Sequence, residues 1–245
     1  MTKVFEALKR IERSGGNGKV RNPLLQQQDQ LVESGVPEPM EEAMVCLYLA
    51  IAAAFADSSQ KIVQFVSSRQ GEGTSTIVRE LARISAVRMG KSVLIIDADR
   101  RRPIQHRFFG VSPDCYLEDA IRTGETTENV ASPSGHESLS VGLLSREGTS
   151  VCELLASRHV STLFDALRNQ FDLILVDSPS VTTSPDCLSI CARVDGVVLV
   201  VEAENTRWPV AEATKEKIIK SGGNILGIVL NKRQFHIPEF IHKRL

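Results

Sequence analysis

Residues 71–76 read GEGTST and follow the apolar run Ile62 to Val66. Gly71 and Gly73 allow successive backbone N–H groups to converge on anionic oxygens. The helical pattern that begins near Ser75 presents its positive end to the same point. A phosphate cradle of this kind ends in Gly-Lys-Ser/Thr. Its lysine reaches the β/γ-phosphates and its hydroxyl holds Mg²⁺. Here the lysine position is Thr74, followed by Ser75 and Thr76. The candidate contacts to a bound nucleotide are therefore Gly71, Glu72, Gly73, Thr74, Ser75 and Thr76. Gly90-Lys91-Ser92 spells a similar tripeptide. It stands after a helix and before a strand, the reverse order, and reads as a turn.

Three carboxylates can complete such a site. VLIIDADRRRP at 93–103 puts Asp97 and Asp99 just after a buried strand, and FDLILVDSP at 171–179 puts Asp177 after another. Carboxylates so placed hold the Mg²⁺ that bridges phosphates. One of them can serve as base for an attacking hydroxyl. A lone Asp at a strand end more often caps the next turn. Three that share a sheet edge with a glycine-rich loop favour the site.

The elements that position these residues alternate. Periodicity predicts a helix over 41–56, a strand at 61–67, a helix at 75–89 and a strand at 92–97. A short helix near 116–122, a strand near 138–143 and two helical segments within 150–169 follow. The pattern closes with a strand at 172–177, a helix at 184–193, a strand at 196–202, a helix at 206–221 and a strand at 224–230. The runs Val93–Ile96, Leu173–Val176 and Val197–Val201 are continuously apolar. Strands of that kind are buried on both faces, as in a parallel sheet covered by helices. Ligands of such sheets bind at the carboxyl ends of the strands, where the loop, Asp97, Asp99 and Asp177 all fall. The fold class is α/β: a P-loop-like domain with a predominantly parallel sheet.

The 245 residues carry a net charge of −1, with 42% hydrophobic and 24% charged side chains. No global basicity argues for nucleic acid as a partner. Cys46, Cys115, Cys152, Cys187 and Cys191 show no metal spacing and read as thiols in a reducing compartment. The apolar run from Cys46 to Ala56 is far short of the ~20 residues of a membrane span. The N-terminus lacks the apolar core of a signal peptide, so a cytoplasmic location is expected. Residues 1–14 include a short amphipathic helix with a Val4, Phe5, Leu8 and Ile11 stripe. Residues 15–40, with Pro23, Pro37, Pro39 and a Gln26–Gln28 tract, read as a linker. The domain proper runs over 41–231, and 232–245 form a basic tail with Lys232, Arg233, Lys243 and Arg244. The helix either packs back on the domain or docks a partner.

The motifs GEGTST at 71–76, IDADRRRP at 96–103 and DLILVDSPS at 172–180 resemble those of the bacterial tyrosine kinases of capsule and exopolysaccharide synthesis, the CpsD/CapB/Wzc type. That family is related to the MinD/ParA ATPases. RPIQHRFFG, DGVVLVVEA, ILGIVLN and the opening VFEALKRIE are similar to further family segments. The resemblance implies ATP or ADP with Mg²⁺ as ligands, Asp97 as the candidate base, and Ser75, Asp99 and Asp177 as the candidate metal ligands. It gives Asn231 as an adenine contact, and places Arg69, five residues before Thr74, where the MinD/ParA ATPases carry an extra lysine, as a cation able to replace part of the missing charge; the alternative is a solvated loop residue. It also implies a membrane polysaccharide co-polymerase, or chain-length protein, as partner. The N-terminal helix would recruit the chain to the inner face of the membrane.

The departures from the family are specific. Thr74 replaces the lysine, so weak nucleotide binding is expected. The tyrosine-rich tail is missing, with Tyr48 and Tyr116 the two tyrosines of the chain. The Glu-x-x-Arg-x-x-Arg of ring assembly reads Glu42, Val45, Tyr48, leaving a hetero-oligomer or a weak homo-oligomer as the expected assembly. The reading is a catalytically impaired regulator or scaffold of polysaccharide synthesis and export. Two alternatives stay open: a working autokinase or ATPase of the same pathway, and a MinD/ParA-type positioning ATPase.

Overall fold

Seven strands form one sheet in the order β3-β4-β2-β5-β1-β6-β7. In this computed structural model they span β1 Lys61–Ser67, β2 Val93–Asp97, β3 Ser132–Pro133, β4 Leu139–Leu143, β5 Leu173–Asp177, β6 Gly196–Glu202 and β7 Ile225–Asn231. The helices are α1 Glu38–Ala54, α2 Thr74–Val87, α3 Gln105–Phe108, α4 Leu117–Thr123, α5 Val151–Ala156, α6 His159–Gln170, α7 Cys187–Cys191 and α8 Trp208–Lys220. The structure describes residues 38–55, 61–112, 116–124, 130–144 and 151–233, which fall within one compact unit of the chain, Gly35–Leu245. The expected helix within 1–14, the linker up to residue 37 and the tail beyond Arg233 lie outside the described residues.

All neighbouring pairs are parallel except β3 with β4. The parallel order follows from the β-branched strands and the helices that return the chain between them. Alternation inside each strand sorts the core. Val63, Phe65, Ile95, Leu175 and Val200 face α1 and α2. Ile62, Leu94, Ile96, Ile174 and Val176 face the side chains of α4 and α6. Val197, Leu199 and Val201 pack with Ala211 and Ile218 of α8 and the two cysteines of α7.

The predicted strands and long helices are found within a few residues of their expected ends; α1, for instance, starts at Glu38 rather than 41. Two elements had no expectation. The four-residue α3 is too short for a period to show. The two-residue β3 contains Pro133, which confines it to an edge position. Cys187 and Cys191 are buried, and burial pushes their thiols up to about 12 and about 11. Among the described residues no helix is long and apolar enough to cross a membrane.

Candidate functional site

The loop between β1 and α2 is held from below by its own acid. Glu72 is buried. Its Oε2 accepts the Arg69 N–H at 2.9 Å, and its Oε1 accepts the Thr206 hydroxyl from the segment before α8. This carboxylate points into the protein, so Glu72 serves the loop as an internal pin and offers a ligand its backbone alone. Gly71 and Gly73 stand at φ +92° and +94°, where an L side chain is strained. Gly73 has a second constraint: a Cβ there would collide with the Asn231 side chain.

The end of β7 crosses the loop. Asn231 Nδ2 donates to the Glu72 carbonyl at 2.8 Å, and its Oδ1 accepts the Lys232 N–H at 2.8 Å. Lys232 continues over the rim. Its Nζ lies 2.6 Å from the Gly71 carbonyl oxygen and 3.3 Å from Glu202 Oε2.

Thr74 opens α2. It is 7% exposed, and its Oγ1 has no hydrogen-bond partner among the described residues. Ser75 and Thr76 follow in the first turn, half-buried. The cradle therefore carries helix-terminal N–H groups and hydroxyls but no side-chain cation at position 74. Arg69 is exposed, and among the described residues its guanidinium makes no ion pair.

The carboxylates differ in how far they are free. Asp97 and Asp177 are opposite one another in the β2–β5 register, and both are buried. Asp97 Oδ1 accepts Asp99 N–H at 3.2 Å, and its Oδ2 accepts Ile104 and Gln105 N–H at 2.8 and 3.0 Å. Burial raises its pKa to about 6 against the pull of those three donors. Asp177 rises to about 7, first through burial and then through the repulsion of Asp97. Its Oδ2 accepts Gln105 Nε2 at 2.8 Å, and Gln105 and the nearby Ser75 side chain pull the pKa the other way. Asp177 Oδ1 is buried without a partner. Asp99 is half-buried, and its Oδ1 accepts the Arg101 and Arg102 N–H groups. It caps its own turn, as a strand-end aspartate does.

No role for Gln105 was legible from the sequence. It is fully buried, and Nε2 reaches both Asp177 and the Ser75 carbonyl, the latter at 2.9 Å. Its place in the RPIQHRFFG segment was visible, but its tie to the other two motifs was not. Arg79 is the second such residue. Its guanidinium lies 3.9 Å over the Phe108 ring. Burial lowers its pKa, opposed first by Glu80, with which it pairs at 3.5 Å, and last by Asp177.

A Mg²⁺ fits this donor set. The ion takes hard oxygen ligands and in phosphate sites needs one or two from the protein. The orphaned, buried Asp177 Oδ1 is an unmet demand for a cation, and the Ser75 hydroxyl lies against the same carboxylate. Those two would hold the ion, which supplies phosphate charge neutralisation when bound.

A glycine-rich loop between a central parallel strand and a helix, with two acids on adjacent strand ends, defines a P-loop NTPase-like protein. The family model "ParA: NUBPL iron-transfer P-loop NTPase" matches residues 58–244. The chain belongs to the capsule and exopolysaccharide tyrosine-kinase family within the ParA/MinD P-loop NTPases. It is 30% identical to CapB of Staphylococcus aureus over 177 residues, 72% of this chain and 77% of that one. It is 30% identical to the tyrosine-protein kinase CpsD of Streptococcus agalactiae, covering 73% of this chain and 78% of that one. EpsB of Ralstonia solanacearum is also 30% identical; 82% of this chain matches, spanning only 27% of EpsB. The chimerical protein CapA2B2 superposes with a TM-score of 0.74 at 28% identity, covering 84% and 91% of the two chains. The septum site-determining protein MinD of Pyrococcus horikoshii, complexed with Mg-ADP, shares the fold at a TM-score of 0.56 and 20% identity, covering 75% and 76%.

Proposed function

We propose that this chain is a nucleotide-binding but catalytically impaired tyrosine-kinase-like regulator of capsule or exopolysaccharide synthesis. The observation that carries this is Thr74. A buried, uncharged side chain stands where the phosphate-binding lysine of the motif belongs. Transfer of a phosphoryl group relies on positioned positive charge, and Thr74 contributes none. Binding survives more easily than catalysis, because the backbone donors of residues 71–75 and the Ser75/Asp177 pair remain. Mg-ATP or Mg-ADP is thus the expected ligand, held weakly, with Asp97 and Asp99 supporting the turn beside it. Asn231 pins the loop as described and is the candidate adenine contact.

The name of the CapA2B2 chimera supports a CapA-like membrane protein as the partner. The Val4/Phe5/Leu8/Ile11 stripe is the proposed docking element, placing the chain on the inner face of the membrane. Division into this helix, a linker, the domain and a basic tail belongs to the same proposal. Phosphotyrosine mass spectrometry after incubation with Mg-ATP tests the central reading. No phosphate on Tyr48 or Tyr116 is expected, and stoichiometric phosphate on either would replace it with the working autokinase. Phe5→Asp should abolish co-purification with the membrane partner while leaving the melting temperature unchanged.

A further inference from the structure

Lys232 stands just past the last residue of β7 with φ +58°, in a region that non-glycine residues seldom adopt. Its backbone is gripped there by Asn231 Oδ1, and Asn231 is itself fastened to the loop through the Glu72 carbonyl. The turn sends the lysine side chain back over the loop. There the ammonium touches Gly71 O at 2.6 Å and Glu202 at 3.3 Å.

We propose that Lys232 is the cation that serves the phosphate loop in place of the lysine missing at position 74, contacting the terminal phosphates of a nucleoside di- or triphosphate. This inference rests on the reading that the loop binds nucleotide. An ammonium has three donors. Gly71 O and Glu202 take two, and the third remains for a phosphate oxygen. The side chain is 43% exposed, so an incoming anion reaches it without rearranging the core. The four-carbon stem lets the head group move across a six-residue loop while its root stays fixed. A lysine that merely paired with Glu202 would not need the loop carbonyl, yet that contact is the shorter of the two. Local strain at the root, held by an asparagine already bonded to the loop, is the pattern found where backbone conformation serves a site. Arg69 differs: Glu72 holds its backbone N–H, while its guanidinium is left to solvent.

Calorimetry of the full chain with Mg-ATP, Mg-ADP and adenosine, for wild type, Lys232→Ala, Lys232→Arg and Arg69→Ala, tests this. Lys232→Ala should weaken Mg-ATP and Mg-ADP about fivefold to tenfold, with tenfold corresponding to about 1.4 kcal/mol. It should leave adenosine binding and the melting temperature unchanged. Lys232→Arg should recover most of the loss, and Arg69→Ala should lose less than Lys232→Ala does. Equal loss for adenosine and ATP would make Lys232 a support of the loop and overturn the assignment. So would undiminished ATP binding by Lys232→Ala. If wild type binds no nucleotide at all, the phosphate-loop reading fails and takes this inference with it. Wild-type binding that survives in Lys232→Ala defeats only the role of Lys232.

Discussion

Asp97 and Asp177 sit side by side at the carboxyl ends of β2 and β5, in direct register, and Gln105 bonds both. Two buried acids on neighbouring strands cannot both ionise without cost unless a cation or donors compensate. Three N–H groups compensate Asp97. Asp177 is compensated on one oxygen, and the other is open.

Stability of the ligand-free protein should therefore fall as pH rises. Both folded-state pKa values, about 6 and about 7, lie above the unfolded carboxylate value near 4. Below pH ~4 both states hold the protons. Between roughly pH 4 and 7 the unfolded chain has released them while the native pair keeps them, so unfolding is progressively favoured. The loss is complete above the folded values. In Mg²⁺-free buffer the melting temperature should be higher at pH 5.5 than at pH 8. Asp177→Asn should raise it at pH 8 and shrink the difference. A variant with the same pH dependence as wild type would show that Asp177 is ionised throughout.

Thr74→Lys should strengthen Mg-ATP binding at least tenfold. Two charges ~4 Å apart interact by about 4 kcal/mol at an effective dielectric near 20, before desolvation is subtracted. Asp177→Asn in the Thr74→Lys background should remove the gain, since it takes away the open carboxylate oxygen. Calorimetry on the three proteins decides it. No change in Thr74→Lys would mean that the loop does not present its N–H groups to phosphate.

Gln105→Ala should lower stability by ~1–3 kcal/mol, because it leaves a second buried oxygen of Asp177 and the Ser75 carbonyl without this donor. For a domain of this size that is a fall of several degrees in melting temperature. Gln105→Glu should be worse at pH 8, where it adds a third buried carboxyl to the pair. Thermal denaturation at pH 8 ranks them. A neutral Gln105→Ala would show that water replaces the amide.

The isolated chain should not form a stable closed ring at micromolar concentration. Val45 and Tyr48 pack against the core beside Met44 and Ile51, so neither supplies the fork that an arginine presents across a subunit boundary. Light scattering measures this directly, and a stable ring would show that another surface has taken over.

The alternation of apolar runs with helical periods determined the parallel sheet, because each pattern has one stable burial. The glycine pair and the strand-end aspartates located the site for the same reason, since their types and spacing are local. That reading made Asp97 the candidate base and Asp99 and Asp177 the candidate metal ligands. Tertiary structure separated them: register made Asp97 and Asp177 neighbours, three backbone donors saturated Asp97, and Asp99 turned to cap its own loop. The tail gave Lys232 the look of one more surface cation. Only the β6–β7 pairing carries Asn231 and Lys232 to Gly73 and Gly71 across some 160 residues of chain. Contacts that depend on register and on the meeting of distant segments leave no period in the sequence, and only the folded chain decides them.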